Sequence, residues 1–162
     1  MDLDTFFVSC ERLLDSRLNG QPILVGGTGN RGVVSAASYE TRLFGVHSGM
    51  PMKMARQLCP EAIVIKGNAG TYTKFSKMVT EILQERVPVL EKASVDEFYA
   101  DLSGMDKHFG CYKYASELRK TITKETGLPI SFGLSANKTV SKVATNEAKP
   151  ANQIKIDVGL EK

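Results

Sequence analysis

Two acidic motifs stand where a carboxylate is costly. Asp2-Leu3-Asp4 lies where an opening strand runs into a helix, and Asp96-Glu97 interrupts the strand-like run from Val95 to Leu102, next to Phe98. An ionised carboxylate in apolar surroundings is disfavoured unless a cation neutralises it. Two such clusters on neighbouring strands of one sheet suit one or two Mg²⁺ ions, which prefer carboxylates, waters and phosphate oxygens. Two metals held close together can stabilise both the attacking and the leaving oxygen of an in-line phosphoryl transfer. Taken singly, each motif reads first as solvated acids at a strand end, and only its surroundings favour the metal.

Tyr39 and Arg42 lie three residues apart at the start of a short helix and so share a face. A phenol, a guanidinium and a helix N-terminus together make a grip for phosphates. A capping residue and a surface charge would give the same letters. Cys10, Cys59 and Cys111 are odd in number and widely spaced, which reads as reduced, buried thiols of a cytoplasmic protein. His47 and His108 form no metal-ligand pattern with them, so no zinc site is expected. The net charge of +3 agrees with nucleic-acid binding without arguing for it. The opening acids are unlike a signal peptide, and no apolar run is long enough for a membrane span.

The elements that must position these residues follow from periodicity. Phe6, Cys10, Leu13 and Leu14 predict a helix directly after Asp4. Pro22 to Val25 and Val33 to Ala37 read as strands around the glycine-rich turn from Gly26 to Gly32. Ser38 caps a helix predicted to reach Phe44 and stop at Gly45, a second helix spans Met52 to Leu58, and Ala62 to Lys66 is a strand. Residues 18–66 therefore read as a small domain inserted into a larger one. Beyond it, Tyr72, Phe75, Val79, Ile82 and Leu83 mark one face of a long helix ending near Arg86. Tyr114, Leu118 and Ile122 mark another that ends at Gly127. Ile130 to Leu134 is a strand, and the helix after it stops at Lys149-Pro150. This alternation predicts an α+β fold, a split βαβ sandwich with a mostly antiparallel sheet.

Four motifs in order resemble those of Y-family (translesion) DNA polymerases. Asp2-Leu-Asp-Thr-Phe-Phe7 is similar to the family's D-x-D-x-F-[FY] opening, and Ser94-Val-Asp-Glu-Phe-Tyr-Ala-Asp-Leu102 to its S-[IV]-D-E-x-[YF]-x-D strand. Ala37-Ser-Tyr-Glu-Thr-Arg-Leu-Phe-Gly-Val46 with Gly49-Met-Pro51 resembles the fingers motif. Gly133-Leu-Ser-Ala-Asn-Lys138, Lys142-Val-Ala144 and Ala148-Lys-Pro150 resemble the closing one. Together they cover nearly the whole chain. The resemblance implies a ferredoxin-like palm over residues 1–17 and 67–162 with α/β fingers over 18–66. It also implies that the chain stops before the thumb and little-finger domains, and is thus a catalytic fragment. The implied activity is addition of deoxynucleotides to a primer 3′-end on a DNA template. A sliding clamp would be a partner of sequence beyond this chain.

The resemblance also assigns roles. Asp2 and Asp96 would bridge two Mg²⁺ ions, the carbonyl of Leu3 would ligate the nucleotide-side ion, and Glu97 would complete the primer-side site. Asp4 would help position the turn. Tyr39, Arg42 and Lys149 would bear the triphosphate, with Lys142 serving the DNA or the site indirectly. Phe7 would be the steric gate against a 2′-hydroxyl, with Phe6 a core aromatic, and Val33 and Gly49 would form a small-residue roof over the nascent base pair. Three departures stand out. Only Met1 precedes the first aspartate, so its strand is expected to be truncated; Ala36 replaces a threonine of many relatives; and the chain ends at Lys162. Competing readings are a nucleotide cyclase of similar palm topology, whose GG[DE]EF turn is replaced here by Ser94 to Phe98, and a non-catalytic module that binds DNA or a polymerase.

Overall fold

Short β-branched runs bounded by glycine, proline and polar turns form the strands, and the longer amphipathic runs between them form the helices. The computed structural model describes residues 1–29, 31–102, 110–134, 138–149 and 153–155. His108, Asn137 and Pro150, named above, lie outside the described residues. The chain divides into two compact units, Thr5–Tyr72 and Met1–Asp4 with Thr73–Lys162.

The small unit opens with α1 (Phe6–Leu14), which buries Phe6, Val8, Ser9 and Cys10. Leu13 and Leu14 continue the apolar spacing but are exposed. Strands β2 (Ile23–Gly26), β3 (Val34–Ala37) and β4 (Ile63–Ile65) form a sheet of order β3-β2-β4, with β3 antiparallel and β4 parallel to β2. Helix α1 packs on β2 and β3. Helices α2 (Tyr39–Arg42) and α3 (Met52–Leu58) follow β3. Helix α2 stops short of the predicted Phe44, and the chain leaves it in turns that reach Gly45 at φ 87°. Leu24, Val34, Ala37, Val46, Met50, Met52, Ala55 and Cys59 form the core. Arg12 reaches Glu40 at 2.9 Å and the Gln21 carbonyl at 2.8 Å.

The large unit begins with β1 (Asp2–Leu3) and resumes within α4 (Ala69–Arg86). It continues through β5 (Val89–Lys92), β6 (Phe98–Asp101), α5 (Cys111–Thr126), β7 (Ile130–Leu134), α6 (Lys138–Ala148) and β8 (Gln153–Lys155). Strands β5 and β8 carry little apolar periodicity and the sequence reading does not anticipate them. β5 and β6 are antiparallel, β1 and β7 are antiparallel, and β8 lies parallel to β7. An antiparallel bridge between Asp2 and Glu97 joins β1 to the start of the β6 strand. Hydrogen bonds of 2.8 Å from the Leu3 amide to the Asp96 carbonyl and from the Phe98 amide to the Met1 carbonyl extend that link. The order β5-β6-β1-β7, with helices between β1 and β5 and between β6 and β7, is the expected split βαβ arrangement.

Gly133 explains how closely α6 lies on β7. A Cβ there would stand 2.3 Å from the Ser141 carbonyl oxygen and 2.5 Å from the Ala144 methyl. Only glycine admits a helix backbone this near a strand. Among the described residues no helix is long and apolar enough to cross a membrane.

Candidate active site

The strand bridge sets Asp2 and Glu97 opposite each other, and both carboxylates converge on one cation, the ammonium of Lys142. Lys142 Nζ donates to Asp2 Oδ2 and lies 3.2 Å from Glu97 Oε1. Lys149 adds a second ammonium 3.4 Å from the same Asp2 oxygen. Asp2 is only 4% exposed, so this pairing is what permits its charge to be buried. Burial alone would lower the Lys142 pKa, but its contacts with Asp2 and Glu97 more than offset that and hold it above the ordinary lysine value. The Tyr99 hydroxyl donates to Glu97 Oε1 at 3.2 Å. Desolvation and this contact raise its pKa.

Asp96 shares the backbone of this site but its side chain is held elsewhere, accepting from the Ser94 hydroxyl at 2.9 Å. Among the described residues no three His, Cys, Asp or Glu side chains are grouped to hold a metal. The donor set therefore fits a hard cation in two of its three expected carboxylates, Asp2 and Glu97, whose oxygens already share one positive partner. Asp4 is buried, and its two carboxylate oxygens accept from the Ser131 hydroxyl at 2.9 and 3.0 Å, while its amide donates to the Pro129 carbonyl. These contacts fasten the turn to β7. Leu3, between the two aspartates, is buried.

In the small unit the other expected residues fall into local groups. Thr5 takes up the left-handed conformation, φ 38° and ψ 55°, to turn β1 into α1. For a β-branched residue this costs about 1–2 kcal/mol, which the flanking strand and helix must offset. Phe6 is buried, whereas Phe7 is half-buried and stacks on Tyr72, with ring centroids 4.4 Å apart and an interplanar angle of 18°. Tyr72 is fixed in turn by donating to Glu11 Oε1 at 2.7 Å. Arg42 sets its guanidinium over the Tyr39 ring, 4.9 Å from the centroid, and donates from Nε to the Ala37 carbonyl at 3.1 Å. Ser38 caps α2 and also accepts from the Ile23 amide, which ties the cap to β2. Val33 and Gly49 are exposed neighbours, since the Gly49 amide donates to the Val34 carbonyl and Val33 bridges to Pro51. Gly49 has φ 88°, a conformation that favours glycine.

Lys142, expected to serve the DNA or the site indirectly, touches Asp2 and Glu97 directly, and the contacts of Ser131, Ser94, Tyr99 and Tyr72 are not anticipated by the sequence. For Lys142 the signal is present, as a lysine within the closing motif. Ser131 carries no signal, because a serine in an apolar strand does not name its partner 127 residues away. Cys10 and Cys59 are buried thiols as expected, whereas Cys111 is only half-buried.

This split βαβ unit, with opposed acids at its central strands, belongs to a known family. The model of the impB/mucB/samB family matches residues 1–146, and the chain belongs to that family, as the Y-family resemblance implied. DNA polymerase IV of Treponema denticola is 43% identical over 162 residues, covering 99% of this chain and 41% of that protein. DNA polymerase IV 2 of Mesorhizobium japonicum is 44% identical over 161 residues, covering 99% and 38%. Among solved structures, DinB from Sulfolobus solfataricus matches with a TM-score of 0.91 at 29% identity, over 97% of this chain and 47% of that one. The insertion ternary complex of Dbh DNA polymerase matches with 0.91 at 28%, over 98% and 48%. The chain thus spans about two fifths of the length of its curated relatives.

Proposed function

We propose that this chain carries the palm and fingers of a template-directed, translesion DNA polymerase that acts in the cytoplasm. In this reading residues 1–17 and 67–162 are the palm and 18–66 the fingers. The observation that carries it is the opposition of Asp2 and Glu97 on bridged strands, with both carboxylates drawn onto one cation, in a chain of this family. Primer-template DNA and deoxynucleoside triphosphates would be its partners.

Asp2, Asp96, Glu97 and the Leu3 carbonyl would hold two Mg²⁺ ions. Bound there, these would supply positive charge to the attacking and leaving oxygens of nucleotidyl transfer. The chain's own groups do the rest. Glu97 would lie on the primer side, where the 3′-hydroxyl gives up its proton. Tyr39, Arg42 and Lys149 would bear the triphosphate charge, Arg42 being already oriented by the Tyr39 ring and the Ala37 carbonyl. Phe7 would lie under the deoxyribose, and Val33 and Gly49 would leave room above the nascent pair.

Primer extension tests this, using the chain joined to the thumb and little-finger part of a relative. Asp96→Ala is expected to lower the rate by about 10²–10³-fold or more while the circular dichroism spectrum is kept. Wild-type extension by that variant would sink the assignment. The chain alone should bind duplex DNA weakly and with strong salt dependence, because few phosphate contacts are available to it.

A further inference from the structure

The acid pair needs a cation, and the structure supplies one from within the chain. Lys142 lies on α6, which Gly133 allows to sit against β7, and β7 pairs with β1 so that Ser131 stands opposite Asp2. This route through three elements delivers the Lys142 ammonium to Asp2 Oδ2 and Glu97 Oε1, and Lys149 approaches the same Asp2 oxygen. Those are the oxygens on which the metal reading depends. An ammonium and a divalent cation cannot both occupy them, since like charges at that separation repel strongly in a half-buried site.

We propose that Lys142 is a tethered counter-ion that competes with the divalent metal for Asp2 and Glu97. It neutralises the pair when metal is absent and must swing away before the metal can bind. The inference rests on the metal-site reading above and adds a cost to it: part of the metal's intrinsic affinity is spent on displacing a side chain. Lys149, which touches Asp2 only at longer range, contributes less. A Lys142 whose only role is to support the fold would instead make metal binding weaker or leave it unchanged when removed.

The test is Mn²⁺ binding by the 162-residue chain, followed by the paramagnetic resonance signal of the free ion. Lys142→Met removes the charge and keeps the length, and is expected to bind Mn²⁺ about ten- to a hundredfold more tightly than wild type, the range for losing one competing charge-assisted contact. Lys142→Arg keeps the charge and should stay within about threefold of wild type, well short of a tenfold step. Without metal, Lys142→Met should melt at a lower temperature, and Mn²⁺ should raise its midpoint more than that of wild type. Equal or weaker binding by Lys142→Met, with binding lost in Asp2→Asn, would overturn the competition and leave the metal site standing. No Mn²⁺ binding by either wild type or Lys142→Met, or binding indifferent to Asp2→Asn, would overturn the metal reading and the competition with it. Should Lys142→Met fail to fold, reductive methylation of the wild-type chain decides the matter. Lys142 should be modified slowly without metal and faster in saturating Mg²⁺, and a rate unmoved by Mg²⁺ would refute the displacement.

Discussion

In the large unit, Asp2 is 4% exposed, and its carboxylate is neutralised by lysines that arrive from 140 residues or more along the chain. In the small unit, Arg42 is exposed, and the groups that aim it, Tyr39 and the Ala37 carbonyl, are its near neighbours in sequence. Burying a charge requires a partner of opposite sign with good geometry, and a single strand or helix rarely supplies one. Aiming a surface charge requires only a short rigid element. Asp2 and Arg42 therefore differ in what holds them, long-range assembly for the first and local geometry for the second. Mutations should separate them.

The largest expected effect is at Gly133. Gly133→Ala places a methyl within 2.3 Å of the Ser141 carbonyl and 2.6 Å of the Thr145 nitrogen, both backbone atoms that cannot rotate away. Overpacking of this kind costs about 3 kcal/mol, at the upper end of its usual range. Because α6 carries Lys142, the same change should loosen the cation from Asp2 and Glu97. Denaturant unfolding of Gly133→Ala measures the first consequence, and the methylation rate of Lys142 the second. A variant as stable as wild type would show that α6 is not positioned by this contact.

That contrast also explains what could be read in advance. Strands β2, β3, β4 and β7 and helices α1, α3, α4, α5 and α6 follow from periodicity, and so does the split βαβ order. The acid motifs were legible because acids in apolar strands violate a local rule. Strands β5 and β8 were not, since Val89–Lys92 and Gln153–Lys155 are short and mixed in polarity. Nor was the side chain of Asp96 resting on Ser94, or that of Asp4 on Ser131, because which of two neighbouring acids turns inward is decided by strand register. Tyr72 reads as one apolar position of a helix, and its stacking on Phe7 depends on where α1 brings that ring.

Two smaller effects belong to the small unit. Arg42→Ala should raise KM for all four deoxynucleotides alike in the joined polymerase, by about ten- to a hundredfold, as expected for about 1.5–3 kcal/mol of lost charge-assisted contact. Its stability should change by less than about 0.5 kcal/mol, since an exposed residue supports little packing. A defect that depends on the base would place Arg42 against the nascent pair instead. Phe7→Ala should lower the preference for deoxy- over ribonucleotides about five- to 150-fold, the equivalent of the 1–3 kcal/mol by which a packed ring resists an added hydroxyl. Phe6→Ala should leave sugar choice alone and act on stability instead, because its ring is buried. The comparison of kcat/KM for matched ribo- and deoxynucleotides separates the two rings, and an unchanged ratio in Phe7→Ala would reduce Phe7 to a partner for Tyr72.

The smallest effect probes a titratable group buried beside a carboxylate. Cys10 is fully buried in α1, and burial, reinforced by the nearby Glu11 carboxylate, pushes its thiol pKa up to about 12. Lysines reach Asp2 in the large unit, whereas the charge beside Cys10 is the Glu11 carboxylate, of the same sign as a thiolate. Below pH 9 the thiol is protonated in both folded and unfolded chains, so it contributes no pH dependence there. As pH rises from the ordinary thiol value of 9.0 towards about 12, the unfolded chain releases this proton while the folded chain keeps it. The unfolded state then binds fewer protons, so stability falls, by up to about 1.4 kcal/mol per pH unit from this group. Cys10→Val removes the group at similar volume. Its stability relative to wild type should improve steadily above pH 9, measured by urea unfolding at pH 8, 9 and 10. Iodoacetamide at pH 8 should spare Cys10 in the folded chain and modify Cys111, the half-buried thiol, first. A difference between wild type and Cys10→Val that is flat with pH would mean that the thiolate is accommodated in the fold, and that this unit can bury a charge after all.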